Sequence, residues 1–482
     1  VKLEKANLRA PEREILETYE KALQINLDKS KYGTFAEVGA GQEVARWFFK
    51  VGGAAGTVAK TMSAHDITFA EGIYGRSRHY VSRERIDQML LHEFELLIER
   101  LDQKRGAETA FFTFADTVRS RVEEGKDEYH GWLGIRFQSE PRSPSGLILL
   151  HVRMLDQDHL LQQNALGILG VNMLYGAFYH AVDPYILLES LLDNLDSDRI
   201  EIDMIHFEGP PFAEHDDRLL SLHLVNLRLA EVAMFSPDGK TLQPSAVLSN
   251  KAILIERGNF RPITRVNLDM LKKAHAQFDR ENEGKDVIEI LEMTMHNLLT
   301  EGHVDPADFL ERVDVLASLG KTVMISNYAE FYKLSAFLTR YTQEMVGIVI
   351  SIPSLRQIFR SDYYENLDGG VLEAVGRLFK NAVRLFVYPG VNQEGNIIGI
   401  HDVRLPPEEI HLCEHLIQNC YIQEVQADTV ADLLTSSHVV ARKIQEGDLA
   451  WEMFVVPEVA DLIKRKGYFG WHEVLVKEGT AP

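Results

Sequence analysis

Residues 231–256 read EVAMFSPDGKTLQPSAVLSNKAILIE. Two apolar runs, EVAMF and AILIE, flank a stretch in which Pro237, Asp238, Gly239 and Pro244 favour turns over a helix. The stretch matters because its two runs belong to a series. The series is LILLHVRM (147–154), IEIDMIHF (200–207), EVAMF (231–235), AILIE (252–256), VIEILEMTM (287–295), TVMIS (322–326), VGIVIS (346–351) and VRLFVY (383–388). Most are near-continuously hydrophobic, as strands buried on both faces are.

Helices fill most of the gaps. Asp183-Pro184 opens YILLESLLDNL, Asp305-Pro306 opens ADFLERVDVLASLG, which stops on Gly320, and Asn327 opens YAEFYKLSAFLTRY. Eight strands alternating with helices predict a (β/α)8-barrel-like core, with an open doubly wound α/β sheet as the alternative. The gap at SPDGKTLQPS is where no helix is read.

Outward from this core the chain reads as helical. Residues 1–140 form a mainly helical N-terminal region, 141–400 the barrel-like domain and 401–482 a helical C-terminal cap. Ser82 is an N-cap for RERIDQMLLHEFELLIERL, and QEVARWFFKV carries helical spacing at Val44, Trp47, Phe48 and Val51. GWLGIRF reads as a strand within the N-terminal region.

The 482 residues are 45% hydrophobic and 26% charged, the composition of a folded protein. A formal net charge of −21 opposes nucleic-acid binding through phosphate neutralisation and disfavours an anionic membrane surface. It leaves room for an anionic ligand wherever arginines cluster in a cleft. Cys413 and Cys420 lie about 10 Å apart along one helix, too far for a disulfide, which predicts reduced thiols and a cytoplasmic protein. The N-terminal stretch is charged and lacks the core of a signal peptide. ALGILGVNMLYGAFYHAV (165–182) is 18 residues of mostly apolar sequence, but Asn172, His180 and three glycines predict a buried core helix over a membrane span.

VGGAAGTVAKTMS (51–63) has the look of a phosphate loop. Three residues separate Gly56 from Lys60, however, and a helix is read before the glycines, where such a loop needs a strand. Gly39 and Gly41 in EVGAGQEVAR lack the third glycine of a dinucleotide fingerprint. The expectation is a helix break with no phosphate on it, and a Lys60 whose removal costs little. TEGH (300–303) is similar to the first motif of the adenylyltransferases that make dinucleotide cofactors, and ISIPSLR (350–356) is faintly similar to the second. Only about fifty residues separate the two, and Pro353 stands where that family has threonine.

The site is expected beyond the carboxyl ends of the strands, which hold ligands in barrels and open sheets alike. Polar residues gather there: His151, Arg153 and Asp156; Glu201, Asp203, His206 and Glu208; Glu256 and Arg257; Glu289, Glu292 and His296; Ser326 and Asn327. A charge inside an apolar strand is costly unless paired or used. Arg153 and Arg257 are assigned to the anion, Asp203 or Glu292 to general base and His206 or His296 to general acid. A ring of ion pairs plugging the sheet end is the structural alternative for each of them. A second anion locus is SIPSLR with YPGVNQEG, through Ser351, Ser354, Arg356 and Gly390, joined by Gly369 and Gly370 behind an Asp368 N-cap. No metal site is assigned, since neither HxH nor HExxH occurs, and no cofactor is named.

FAEVGAGQEVARWFFKVGGAAGTVAKTMSA, HVRMLD, GILGVNMLYGAF and LDGGVLEAVGRLF resemble phrases of an uncharacterised bacterial family of about this length. That resemblance implies one coherent protein and no particular activity. The leading expectation is a soluble enzyme for a small anionic, phosphorylated metabolite, working as a homo-oligomer. A nucleotidyltransferase and a non-catalytic scaffold or assembly protein are the rivals.

Overall fold

The computed structural model describes residues 13–39, 41–119, 129–300, 303–392, 394, 396–426 and 437–472. The chain divides into two compact units, Val1–Glu231 and Val232–Pro482. Each is built on one large open sheet, so the protein is mixed α/β. No sheet closes among the described residues, which overturns the barrel. The break expected at 140 falls inside the first sheet, between two of its strands.

The strands of unit 1 are β1 (Lys31–Val38), β2 (Val58–Ala64), β3 (Ala110–Arg119), β4 (His130–Gln138), β5 (Ser145–Met154) and β6 (Ile200–Glu208), in spatial order β2-β1-β3-β4-β5-β6. The first three are parallel, and β3 through β6 then run antiparallel. Four of these strands lie in the region expected to be mainly helical, where only the one at GWLGIRF was read. AFFTFADTVR is rich in aromatic and β-branched residues, as β3 requires. β2 is an edge strand with mostly half-buried residues, so its sequence, VAKTMSA, carries little apolar signal.

Adjacent residues of β3 meet opposite layers. Phe114 approaches Gly170 of the His159–Tyr179 helix, while Ala115 joins Ile86 and Leu90 of the Arg83–Arg105 helix. The glycines of the first of these helices explain its composition. A Cβ on Gly167 would stand 3.0 Å from the Glu43 carbonyl, and one on Gly170 would stand 2.3 Å from Val44. Asn172 is fully buried and donates to the Leu191 and Asp193 carbonyls, while Lys21 donates to it. No described helix is long and apolar enough to cross a membrane.

The VGGAAG stretch is the link from the Glu43–Val51 helix into β2. Gly52 and Gly53 take φ of +81° and +78°, which glycine tolerates. The glycines therefore lie before a strand, whereas a phosphate loop lies after one. Lys60 is not idle, though: it pairs with Glu93, buried in the Arg83–Arg105 helix, at 2.5 Å. The strand–glycine–helix context occurs earlier, at Gly39 and Gly41. There Glu37 occupies the helix N-terminus itself, accepting from the Val44 and Ala45 amides at 3.2 and 2.9 Å.

Unit 2 holds β7 (Val232–Phe235), β8 (Thr241–Leu242), β9 (Ala252–Arg257), β10 (Val287–Thr294), the two-residue pair β11 (Leu299–Thr300) and β12 (His303–Val304), β13 (Thr322–Ser326), β14 (Val346–Ser351), β15 (Val383–Tyr388), the pair β16 (Gly390–Val391) and β17 (Ile397–Ile398), and β18 (Ile422–Glu424). Its large sheet runs β18-β15-β14-β9-β10-β13-β7-β8. All strands from β18 to β13 are parallel. The turn-rich SPDGKTLQPS folds β7 against β8 as an antiparallel hairpin on the edge at β13. That hairpin stands where a barrel would need a parallel strand.

The parallel strands progress from β9 outward to β13, then return across the sheet to β14 and proceed the other way. Helices cover both faces. Ile253 and Ile255 of β9 share a cluster with Leu334, Leu355 and Ala374, from the helices that follow β13 and β14. Leu254 faces Phe278, from the helix that follows β9. This is the arrangement of an open doubly wound sheet, whose order reverses between β9 and β14. The cap expected after 401 adds helices at Ile410–Gln418, Ser437–Glu446 and Pro457–Lys466, but it also supplies β18. Cys413 is buried in the first of these helices; Cys420 lies past its end with positive φ, and both are free thiols.

Candidate functional site

Seven of the expected site residues lie in unit 1, His151, Arg153, Asp156, Glu201, Asp203, His206 and Glu208, and each is engaged by a neighbouring side chain. Arg153 Nη1 donates to Glu201 Oε2 at 2.5 Å across β5 and β6. Asp203 is the extra residue of a bulge: His151 pairs with Met204 and Val152 with Ile202, so Asp203 has no partner in register. A bulge re-aims a side chain, and here Asp203 Oδ1 meets His151 Nδ1 at 2.5 Å. His206 binds Asp217 at 2.8 Å and lies 3.4 Å from Glu208. The bond to Asp217 raises its pKa above the ordinary histidine value. Asp156 receives Arg199 at 2.9 Å.

Glu292 and His296 lie in unit 2, so the four residues assigned to acid–base work do not belong to one unit. Glu292 is fully buried. Arg257 grips it with two bonds, Nε to Oε2 at 2.8 Å and Nη2 to Oε1 at 2.9 Å, and Ser326 Oγ donates to Oε1 at 2.5 Å. Arg257 also donates to the carbonyls of Ala329 and Tyr328 and lies over the Phe331 ring. Four of its five N–H groups are thereby directed inward. Glu292, Arg257 and Ser326, expected as base, anion holder and ligand contact, are bonded to one another as an internal clamp. Asn327 follows it, half-buried. His296 is exposed on a short helix.

Glu256, the neighbour of Arg257, points to the other face. Asn267 donates to its Oε1 at 2.8 Å, and burial pushes its pKa up to about 8. Glu289 is held by His275 and Lys321.

Of the second anion locus, only Arg356 lines a cavity, and Ser351, Ser354 and Gly390 lie at or beside the strand ends behind it. Ser351 ends β14 and stands opposite Tyr388 in β15, its hydroxyl 3.2 Å from that of Ser354. Gly390 starts β16, and a Cβ there would lie 3.6 Å from Ile352. Arg356, on the helix after β14, lines a cavity of about 880 Å³ with Asn392, Asn396, Asp402 and Arg404. This cavity lies past the carboxyl ends of β14 and β15, next to the reversal of strand order. No carboxylate among the described residues pairs with Arg356 or Arg404. Asp368 is not the N-cap of its helix; Gly369 is, and its amide donates to Glu373 at 2.9 Å. Arg404 was missed in the sequence because it lies in the region read as a helical cap. ISIPSLR is the end of β14 and the helix behind it, whereas in TEGH residues 301–302 lie outside the described residues. The described residues contain no group of three metal-ligating side chains.

No family profile matches the sequence, and no curated protein matches it. Among solved structures, the chain is similar to the competence/damage inducible protein CihA of Agrobacterium tumefaciens, at 17% identity over 33% of this chain and 93% of that one, with a TM-score of 0.25. A CinA superfamily protein of Klebsiella pneumoniae gives 15% identity, 34% and 99% coverage and a TM-score of 0.27. One of Enterobacter cloacae gives 14%, 36%, 97% and 0.26. Likenesses at these scores do not establish a shared fold.

Proposed function

We propose that the protein is an enzyme acting on a small anionic, phosphorylated metabolite, held in the unit 2 cavity beyond β14 and β15. The observation that carries this reading is the pair Arg356 and Arg404 in one cavity, neither paired with a carboxylate among the described residues, at the end of the sheet where parallel strands expose their carboxyl termini. Most cations of this acidic chain near a sheet end are cancelled by a neighbour, as Arg257 is. Two guanidiniums facing one cavity, neither held in an ion pair by a described carboxylate, can each offer hydrogen bonds to a phosphate. Asp402 and Glu394 line the same cavity, so proton transfer falls to them on this reading, since both oxygens of Glu292 are taken.

Calorimetric titration with inorganic pyrophosphate tests the site. Arg356→Ala is expected to weaken binding at least tenfold and leave the melting temperature within a degree or two, because Arg356 is exposed. Absence of binding in the unsubstituted protein, or equal binding by the variant, would sink the reading.

A further inference from the structure

Unit 1 holds a cavity of about 520 Å³ that the unit 2 reading does not use. It lies where β4 and β6 end and β1 begins. Small-ligand sites occupy about 300–1,000 Å³ and are lined by apolar and aromatic side chains with a few polar groups among them. The walls here follow that pattern. Phe178, near the end of the His159–Tyr179 helix, is half-buried and meets Phe112 and Phe137 edge-on, at centroid distances of 5.2 and 6.3 Å. After β6, the Pro210–Phe212 turn is pinned by Phe212, which is buried and lies 6.2 Å from the Phe137 ring. Pro210 and Pro211 are thereby fixed in the lining. Rings and prolines held in this way lose little conformational freedom when a ligand arrives.

The charges of the cavity stand apart. Lys31, Glu140 and Glu214 all line it, yet none of their side chains has an ion-pair or hydrogen-bond partner among the described residues. Lys31 Nζ instead lies over the Phe178 ring, 5.5 Å from its centroid. The sheet explains the separation. Lys31 opens β1 and Glu140 follows β4, with β3 between them, so their backbones stand two strand spacings apart, about 10 Å. Glu214 comes after β6, at the far side of the sheet from β1. Gln138, a buried polar member of the lining, is already bonded at both ends: its Oε1 accepts from the Phe111 amide at 2.9 Å and its Nε2 donates to the Ser143 carbonyl at 3.1 Å. Opposite charges that share one aromatic cavity without pairing are matched by a ligand that carries both signs. A purely anionic ring would meet two carboxylates, and a purely cationic one would meet Lys31. We propose that this cavity binds a small zwitterion bearing an aromatic ring, with its carboxylate at Lys31, its ammonium at Glu140 and Glu214, and its ring against Phe178 and the two prolines. An aromatic amino acid and a short aromatic peptide share this chemistry and differ in the distance between their charges.

Calorimetric titration of the full chain at pH 7 tests the site. The probes are phenylalanine and the dipeptide glycyl-phenylalanine, with phenethylamine and phenylacetate as single-charge controls. One of the two zwitterions is expected to bind at millimolar concentration or below, and about fivefold or more tighter than either control. The tighter of the two identifies the source. Lys31→Met keeps an apolar stem over Phe178 and removes the charge; it should weaken the zwitterion about fivefold and leave phenethylamine no weaker. Glu140→Gln combined with Glu214→Gln should weaken the zwitterion and phenethylamine and leave phenylacetate no weaker. Loss of folding would weaken every probe alike, so this crossed pattern is specific to the charges. Absence of binding by both zwitterions, binding no tighter than that of the controls, or losses that ignore the charge of the probe would overturn the proposal.

Discussion

The two sheets place their chemistry by different means. In unit 2 the strands from β18 to β13 all point one way, so their carboxyl ends define one edge and the cavity lies there. In unit 1 the sheet is parallel on one side and antiparallel on the other, so each edge receives carboxyl and amino ends together. Topology alone selects no edge in such a sheet. The polar side chains are gathered by a local irregularity, the bulge at Asp203. A site in a uniform sheet follows from chain direction, whereas a site in a mixed sheet depends on single residues.

The contrast extends to how buried charge is handled, and it can be broken by substitution. The largest effect is expected at the Arg257–Glu292 clamp. Arg257→Ala would leave a fully buried carboxylate with only Ser326, at a cost of about 3–5 kcal/mol. Urea denaturation measures it, and a loss below about 1 kcal/mol would return Arg257 to the candidates for ligand binding.

The second effect concerns pH. Glu256 has a folded pKa of about 8, raised by burial, with Asn267 its hydrogen-bond donor and Lys321 and Glu289 the charges that act on it. The folded state therefore binds this proton more tightly than the unfolded chain. Its contribution is fully present below the ordinary glutamate value and is lost as pH rises toward about 8. Stability should fall across that window. Glu256→Gln keeps the bond from Asn267 and should flatten the slope and exceed the parent at pH 8. A variant with the parental slope would place the dependence elsewhere, with Glu37, whose pKa burial raises to about 7, as the unit 1 counterpart.

The smallest effect is at Lys60. Its removal was expected to cost little, but it is the counter-charge of buried Glu93, which keeps Tyr74 as a donor at 2.9 Å. Lys60→Met should cost about 1 kcal/mol, since the lysine is 42% exposed and the pair partly screened. Nucleotide titration should show no difference between variant and parent.

Much of the architecture was legible. All eight apolar runs are strands, within a residue or two at their ends. Strand direction was not, because an apolar run reads the same up or down. The hairpin of β7 and β8 was announced only by Pro237, Asp238, Gly239 and Pro244, and those residues separated an open sheet from a barrel. β1 to β3 went unread because their neighbours are helical and β2 is a polar edge. At the sites, Ser351 and Gly390 lie at or just past consecutive strand ends and Arg356 on the helix that follows the first of them, an order that spacing alone predicts. The partner of Glu292 could not be read, since Arg257 comes from the adjacent strand and cross-strand register leaves no mark in one sequence. The Asp203 bulge is equally silent, as it requires counting residues against a partner strand.

The short strands at the rims of the unit 2 sheet carry a consequence for self-association. Its outermost strands, β8 and β18, have two and three residues. A second copy adding a strand there would gain only two or three backbone pairings, too few to hold it. The sheet is thus closed to growth by accretion, and a stable partnership of unit 2 with its own kind must be written in side chains on its helical faces.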